Sequence, residues 1–314
     1  MPVLNALSGK RTLFKVITDD PYTVNTDSLP ISPTQYFGLF HGVQATFLKA
    51  TINHFHSAYP ERSIIYLSGD SSLDNKHWID GDVETPESYR NVLEPAIMKP
   101  DVSFNIMSVI PDTLVVNTAV EATTIADRDN GLLESDCLIR DNIKSNDILV
   151  TSIGGNDIAL RPTLLTKLNL LMLVYLNSMF ALTNYPNLCF GTPYFKRLLG
   201  TKVQKYLERL TAKTKPKTIY ICMIYYPDEQ EDGGWADRVL QFLNYNKNPA
   251  KVQKVIETLY LQATCNIKIE GTKVIPVPLY EAMNGKDTND YVQRVEPSSI
   301  GGRKIAELLK KYME

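Results

Sequence analysis

The sequence predicts a three-layer α/β/α sandwich built on a mostly parallel sheet, and three observations carry that reading. Short apolar runs of strand length alternate with longer helical patterns, the order that βαβ units produce. The runs are apolar nearly throughout, as strands covered on both faces must be. Two of them, Ser63–Leu67 and Asp147–Ile153, end in glycine-punctuated turns, Ser68-Gly69-Asp70-Ser71 and Gly154-Gly155-Asn156-Asp157. In such sheets the functional crevice lies at the carboxyl ends of the strands.

Taken in order, a helix is expected near Thr34–His56, then strands at Ile64–Leu67, Leu114–Val116 and Ile148–Ile153. Leu164–Leu182 contains Lys167, Asn169, Asn177 and Ser178, too many polar groups for a membrane span, and reads as a buried helix with Pro162 suited to its first turn. A helix at Tyr194–Thr211, a strand at Thr218–Ile224, a helix at Ala250–Cys265, a strand at Lys273–Val277 and a helix at Gly302–Tyr312 complete the alternation. No repeat or linker interrupts it, so residues 1–314 read as one domain, with 1–60 as an N-terminal extension ahead of the first strand.

Composition narrows the function classes. The chain has 314 residues, 44% of them hydrophobic, and its 33 basic and 35 acidic residues leave a net charge of -2. That balance gives no electrostatic case for nucleic acid or an anionic membrane surface. Cys137, Cys189, Cys222 and Cys265 form no ligand-spaced set with the four histidines and read as buried free thiols. No metal or other cofactor is expected. Met1–Lys10 shows no secretory pattern and the chain contains no Asn-x-Ser/Thr sequon, which favours a cytoplasmic location.

The motifs are more specific. Gly69-Asp70-Ser71-Ser72-Leu73-Asp74 follows the first strand, Asn117-Thr118-Ala119-Val120-Glu121-Ala122 the second, Gly154-Gly155-Asn156-Asp157 the third, and Glu296-Pro297-Ser298-Ser299-Ile300-Gly301 precedes the last helix. In this order they resemble the four sequence blocks of the SGNH (GDSL-type) hydrolases, with alanine for both glycines of the second block and glutamate for the histidine of the fourth. The resemblance implies a flavodoxin-like sheet, a nucleophile at Ser71, and an oxyanion hole made by the N–H groups of Ser71 and Ala122 and the Asn156 amide. It places Gly155 in the third block and Asp70, Asp74 and Asp157 in supporting positions, with Asp74 and Asp157 as turn organisers. The family's aspartate, three residues before its histidine, is replaced by Gln293.

Glu296 therefore stands where the base belongs. A carboxylate matches a serine poorly unless burial raises its pKa, and Arg294, two residues away, would push it down. His77 lies six residues past Ser71, on another face if a helix starts there, while His41, His54 and His56 read as surface or packing residues. The leading expectation is a serine hydrolase acting on a small ester or acetyl group through an acyl-serine, with an altered base. The alternative is a non-catalytic protein of the same fold that binds a ligand in the former active site. A metal enzyme using Asp70, Asp74, Asp157 and Glu296 lacks a ligand-spaced histidine and ranks third. The acidic loop Tyr226–Gly234 reads as a solvated connection.

Overall fold

A computed structural model of the chain describes residues 29–314; Met1–Lys10, which bears on the targeting reading, lies outside them. Five strands form one wholly parallel sheet: β1 (Ile64–Gly69), β2 (Leu114–Asn117), β3 (Ile148–Ser152), β4 (Thr218–Met223) and β5 (Lys273–Pro278), in the order β2-β1-β3-β4-β5. The strand ends agree with the apolar runs to within two residues. β1 and β4 are buried along their whole length, because helices cover both faces.

Helix α1 (Ala45–Ala58) packs on β2 and on α2 (Glu134–Asn142), which in turn packs on α3 (Val203–Leu210). α4 (Val102–Val109) packs on β2 and on the C-terminal helix α5 (Ser299–Met313). α6 (Pro249–Gln262) extends the covering layer beyond the widened turn at Lys196–Lys202 that leads into α3. The described part of the N-terminal segment is thus built into the sandwich through α1. Neither α2 nor α4 was expected from the sequence.

Two expected helices come out differently. Thr34–His56 is interrupted: a single turn at Pro33–Tyr36 and α1 are separated by a loop containing Gly38 and Gly42, the latter at φ 72°. Leu164–Leu182 divides into α7 (Leu164–Tyr175) and α8 (Met179–Asn184). The break follows from local chemistry. Asn177 donates to the carbonyls of Met172, Leu173 and Phe190, and Ser178 accepts from Ala181 N–H as the N-cap of the second helix. The segment is also not a buried helix. Leu170, Leu173 and Leu182 face inward, but Leu164 is 84% exposed and Phe180 66%. No helix among the described residues is long and apolar enough to cross a membrane. Of the cysteines, Cys189 and Cys222 are buried, Cys137 is half-buried and Cys265 is exposed, so burial does not extend to all four.

The sheet order reverses between β1 and β3, and the chain leaves both strands at the same end. That switch point is where open α/β sheets hold ligands, and it is where the glycine-punctuated turns lie.

Candidate active site

Gly69 ends β1 at φ 130°, and a Cβ there would sit 1.8 Å from Ser152 O, so only glycine lets β1 and β3 stay paired through this turn. The pairing continues one step further with Asp70 N–H donating to Ser152 O at 3.0 Å. Ser71 follows directly and is 7% exposed. Beyond β2, Thr118 and Val120 donate their N–H groups to Leu67 O and Gly69 O, which draws the second loop over the end of β1. Asn156, also 7% exposed, donates its amide to Thr123 O at 3.0 Å and so fixes its own loop to the second one. Three loops from three strands therefore converge, carrying Ser71, Ala122 and Asn156.

Backbone accounting identifies the space between them. Almost every buried N–H finds an acceptor, yet among the described residues neither Ser71 N–H nor Ala122 N–H has one. Ala122 stands at φ 60°, the left-handed region that disfavours a Cβ. The strain raised by replacing glycine there is present, and the N–H is retained.

The acidic residues divide by role. Asp74 accepts from Gly42 N–H and Glu121 N–H, both at 2.8 Å, and pairs with buried Lys76 at 2.5 Å. Asp157 accepts from Ile125 and Ala126 N–H at 2.7 and 3.2 Å. Both carboxylates hold loops together. Asp70 accepts from Ser72 N–H at 3.2 Å, while its other oxygen is buried without a partner beside Gly155. Desolvation pushes its carboxyl up to about 6.

Glu296 arrives from the far side of the chain. It lies in the two-residue strand Glu296–Pro297, paired antiparallel with Tyr291–Val292. Asn75 anchors this strand, donating to Pro297 O at 3.0 Å while accepting from Val102 N–H at 3.0 Å. Ser298 then caps α5 by accepting from Gly301 N–H at 3.1 Å. Glu296 is 3% exposed, and its Oε2 has no partner. Burial pushes its pKa up to about 7; Asp70 and Asp74 add to the rise and the facing Ser71 hydroxyl opposes it. The Ser71 contact stops short of full hydrogen-bond geometry, and such bonds often tighten only with substrate bound.

Arg294 does not depress Glu296. The residue is fully buried with φ 66°, turned toward the loop after β4, where it pairs with Asp237 at 2.8 Å and donates to Asp228 O at 2.8 and 3.1 Å. The acidic loop Tyr226–Gly234 is therefore more than a solvated connection: it supplies the Arg294 anchor. Gln293 likewise turns outward and accepts from Trp235 N–H at 3.1 Å. His77 is exposed and packs edge-on against Phe40, ring centres 4.5 Å apart. His41 is exposed and its Nδ1 lies 2.9 Å from Glu121 O, while His54 and His56 are half-buried on α1.

Sequence reasoning gave no role to Glu121. It is 3% exposed, accepts from Trp78 Nε1 at 3.3 Å, and is pushed up to about 10 by burial, then by Glu296 and Asp74. The Glu296 charge thus adds to the upward shift that burial gives the enclosed Glu121 carboxyl, which favours its neutral form. A lone acid in the otherwise apolar run Ala119-Val120-Glu121-Ala122 was the available signal. Tyr225, buried and donating to Val295 O at 2.6 Å, also belongs to the site; the neighbouring Glu296 and Asp70 charges add to the upward shift that burial gives its hydroxyl. No group of three or more metal-ligating side chains forms among the described residues.

No protein-family model matches the sequence, and no curated protein matches it. Several solved structures do. An extracellular lipase from Streptomyces rimosus aligns over 79% of this chain and 99% of its own at 11% identity, TM-score 0.43. Phospholipase A1 from Streptomyces albidoflavus NA297 aligns over 80% and 99% at 11% identity, TM-score 0.41. A member of the lipolytic protein G-D-S-L family from Veillonella parvula aligns over 79% and 97% at 12% identity, TM-score 0.40. The likeness is to the course of the chain.

Proposed function

We infer that the protein is a serine ester hydrolase in which Ser71 is the nucleophile and Glu296 the base. The observation that carries this is a sequestered Glu296 carboxyl, unpartnered at Oε2, facing the Ser71 hydroxyl at the switch point of the sheet. A base works best with a pKa near the operating pH, and burial brings this carboxyl there.

As the Ser71 Oγ attacks an ester carbonyl, its proton passes to Glu296 and the carbonyl electron pair moves onto oxygen. The oxyanion is met by Ser71 N–H, Ala122 N–H and the second Asn156 Nδ2 hydrogen, donors of the kind worth ~100 to 1000-fold each. Collapse expels the alcohol, which takes the proton from Glu296 and leaves an acyl-serine. Water then attacks the acyl carbonyl as Glu296 takes its proton, and collapse breaks the bond to Ser71 Oγ, which recovers that proton from Glu296 as the acid leaves. The enclosed site suits a small ester or acetyl group.

The test is covalent labelling by a serine-directed fluorophosphonate together with an ester screen. Labelling and turnover that both vanish in Ser71→Ala, with an unchanged thermal midpoint, support the reading. A wild-type protein that neither labels nor turns over any ester, yet is stabilised by a ligand in the same site, establishes the non-catalytic binding alternative.

A further inference from the structure

Between Asp157 and Glu208 the chain carries Arg161, Lys167, Lys196, Arg197, Lys202 and Lys205 and no acidic residue. The overall charge of -2 averages this segment away. The same segment holds α7 and α8, which leave large apolar side chains in solvent: Leu164 is 84% exposed and Phe180 66%, and Leu188 in the turn that follows is 80% exposed. Large apolar side chains exposed together on one short segment are of the kind that marks an interaction site, and the basic residues the segment carries say what kind. Asp127 and Asp129, which face the segment, are already paired with Arg161 and Lys202. Among the described residues Lys167, on α7 between Leu164 and Leu168, has no carboxylate partner.

A groove lies beside these helices, lined by Val174, Tyr175, Met179 and Leu243 with Lys251 at its side. Lys251 donates to Asn177 O at the junction of the two helices. The segment also begins at the proposed catalytic site. Arg161 donates its backbone N–H to Asn156 O at 2.8 Å and its guanidinium to Ala122 O at 2.9 Å, and α7 starts three residues later.

We propose that α7 and α8 seat the protein on an anionic lipid surface, apolar side chains entering the headgroup boundary and the lysines facing lipid phosphates. Exposed apolar side chains interleaved with Lys167, on a segment with no acidic residue of its own, are the chemistry of an interfacial helix, and each basic residue close to such a surface contributes about 1 kcal/mol, roughly fivefold in affinity. An anionic bilayer places these cations against opposite charge.

The full chain is tested by co-sedimentation with vesicles of phosphatidylglycerol and of phosphatidylcholine. Expected is binding to the former at least tenfold tighter, weakened further by salt. Leu164→Asp with Phe180→Asp should remove it, and Lys167→Gln should weaken it about fivefold; these positions are exposed, so thermal midpoints should hold. Ser71→Ala should bind like wild type, which separates this surface from the esterase reading. Absence of binding to phosphatidylglycerol, equal binding to both vesicles, or indifference to these substitutions overturns the proposal. So does a dimer in sedimentation velocity that Phe180→Asp dissociates in place of vesicle binding.

Discussion

The loops that follow β1, β2 and β3 and the segment that carries Glu296 meet at one point, but they are held there by different means. The loops are cross-linked to one another: Asp74 gathers two N–H groups and Lys76, Asp157 gathers two more, and Thr118 and Val120 extend the sheet pairing. The Glu296 segment has a two-residue strand, one Asn75 bond, and two successive left-handed residues, Gln293 at φ 52° and Arg294 at φ 66°. Further support comes from residues that follow β4: Arg294 reaches Asp228 O and Asp237, Tyr225 donates to Val295 O, and Trp235 N–H donates to Gln293. The proposed oxyanion donors are thus fixed by the loops of the sheet, whereas the proposed base sits on a segment that joins them from outside it. A side chain on the outside segment can change identity without disturbing the donors.

The sharpest way to use that contrast is Glu296→Gln. It should cost ~100 to 10,000-fold in kcat while leaving the loops in place. In wild type the rate should rise with pH through about 7 as Glu296 ionises. Stability should move the opposite way. The folded-state pKa is raised, so the contribution is fully present below the ordinary carboxylate range and is lost as pH rises through about 7. The thermal midpoint of Glu296→Gln should therefore fall less with pH than that of wild type.

Asp74→Ala should be the costliest change to stability, about 3–5 kcal/mol in urea unfolding, because it strands the buried Lys76 charge. Asp237→Ala on the other side should cost less than half as much, since Arg294 keeps Asp228 O and Asn246 Oδ1. Equal costs would dissolve the distinction between the two regions. Smallest is Ala122→Gly, which relieves a left-handed alanine at the expense of added chain entropy. A net gain of about 0.5–1 kcal/mol is expected, with hydrolysis at or above wild type; a lower rate would mean that the alanine methyl shapes the pocket.

The strands were legible because a strand buried on both faces, as β1 and β4 are, has no choice but an apolar run, and even the half-buried edge strand β5 keeps one. α2 was not, since Glu-Ser-Asp-Cys-Leu-Ile-Arg-Asp-Asn offers few apolar positions to mark a period. α4 carried a readable start in Asp101, which caps it by accepting from Phe104 N–H at 2.8 Å. Exposure on α7 and α8 was hidden because apolarity alone does not say which side of a helix finds a neighbour. In the site, Ser71 and Asn156 announced themselves through glycine turns. The direction of Arg294 did not, because its partners Asp228 and Asp237 lie 66 and 57 residues away. Glu121 was marked in the sequence only as a lone acid in an apolar run, and its place against Trp78 came with folding.

That last contact has an optical consequence. The chain contains two tryptophans, Trp78 and Trp235. The indole N–H of Trp78 rests on Glu121, and the backbone of Trp235 rests on Gln293, three residues before Glu296. Both tryptophan residues therefore contact a neighbour of the proposed site, Trp78 through its indole and Trp235 through its backbone. A proton leaving the Glu121–Glu296 pair alters the field along one indole, and a shift of the base segment moves the other. Emission spectra of the unlabelled protein should report titration and occupancy of its own site, with Trp78→Phe and Trp235→Phe assigning the two signals.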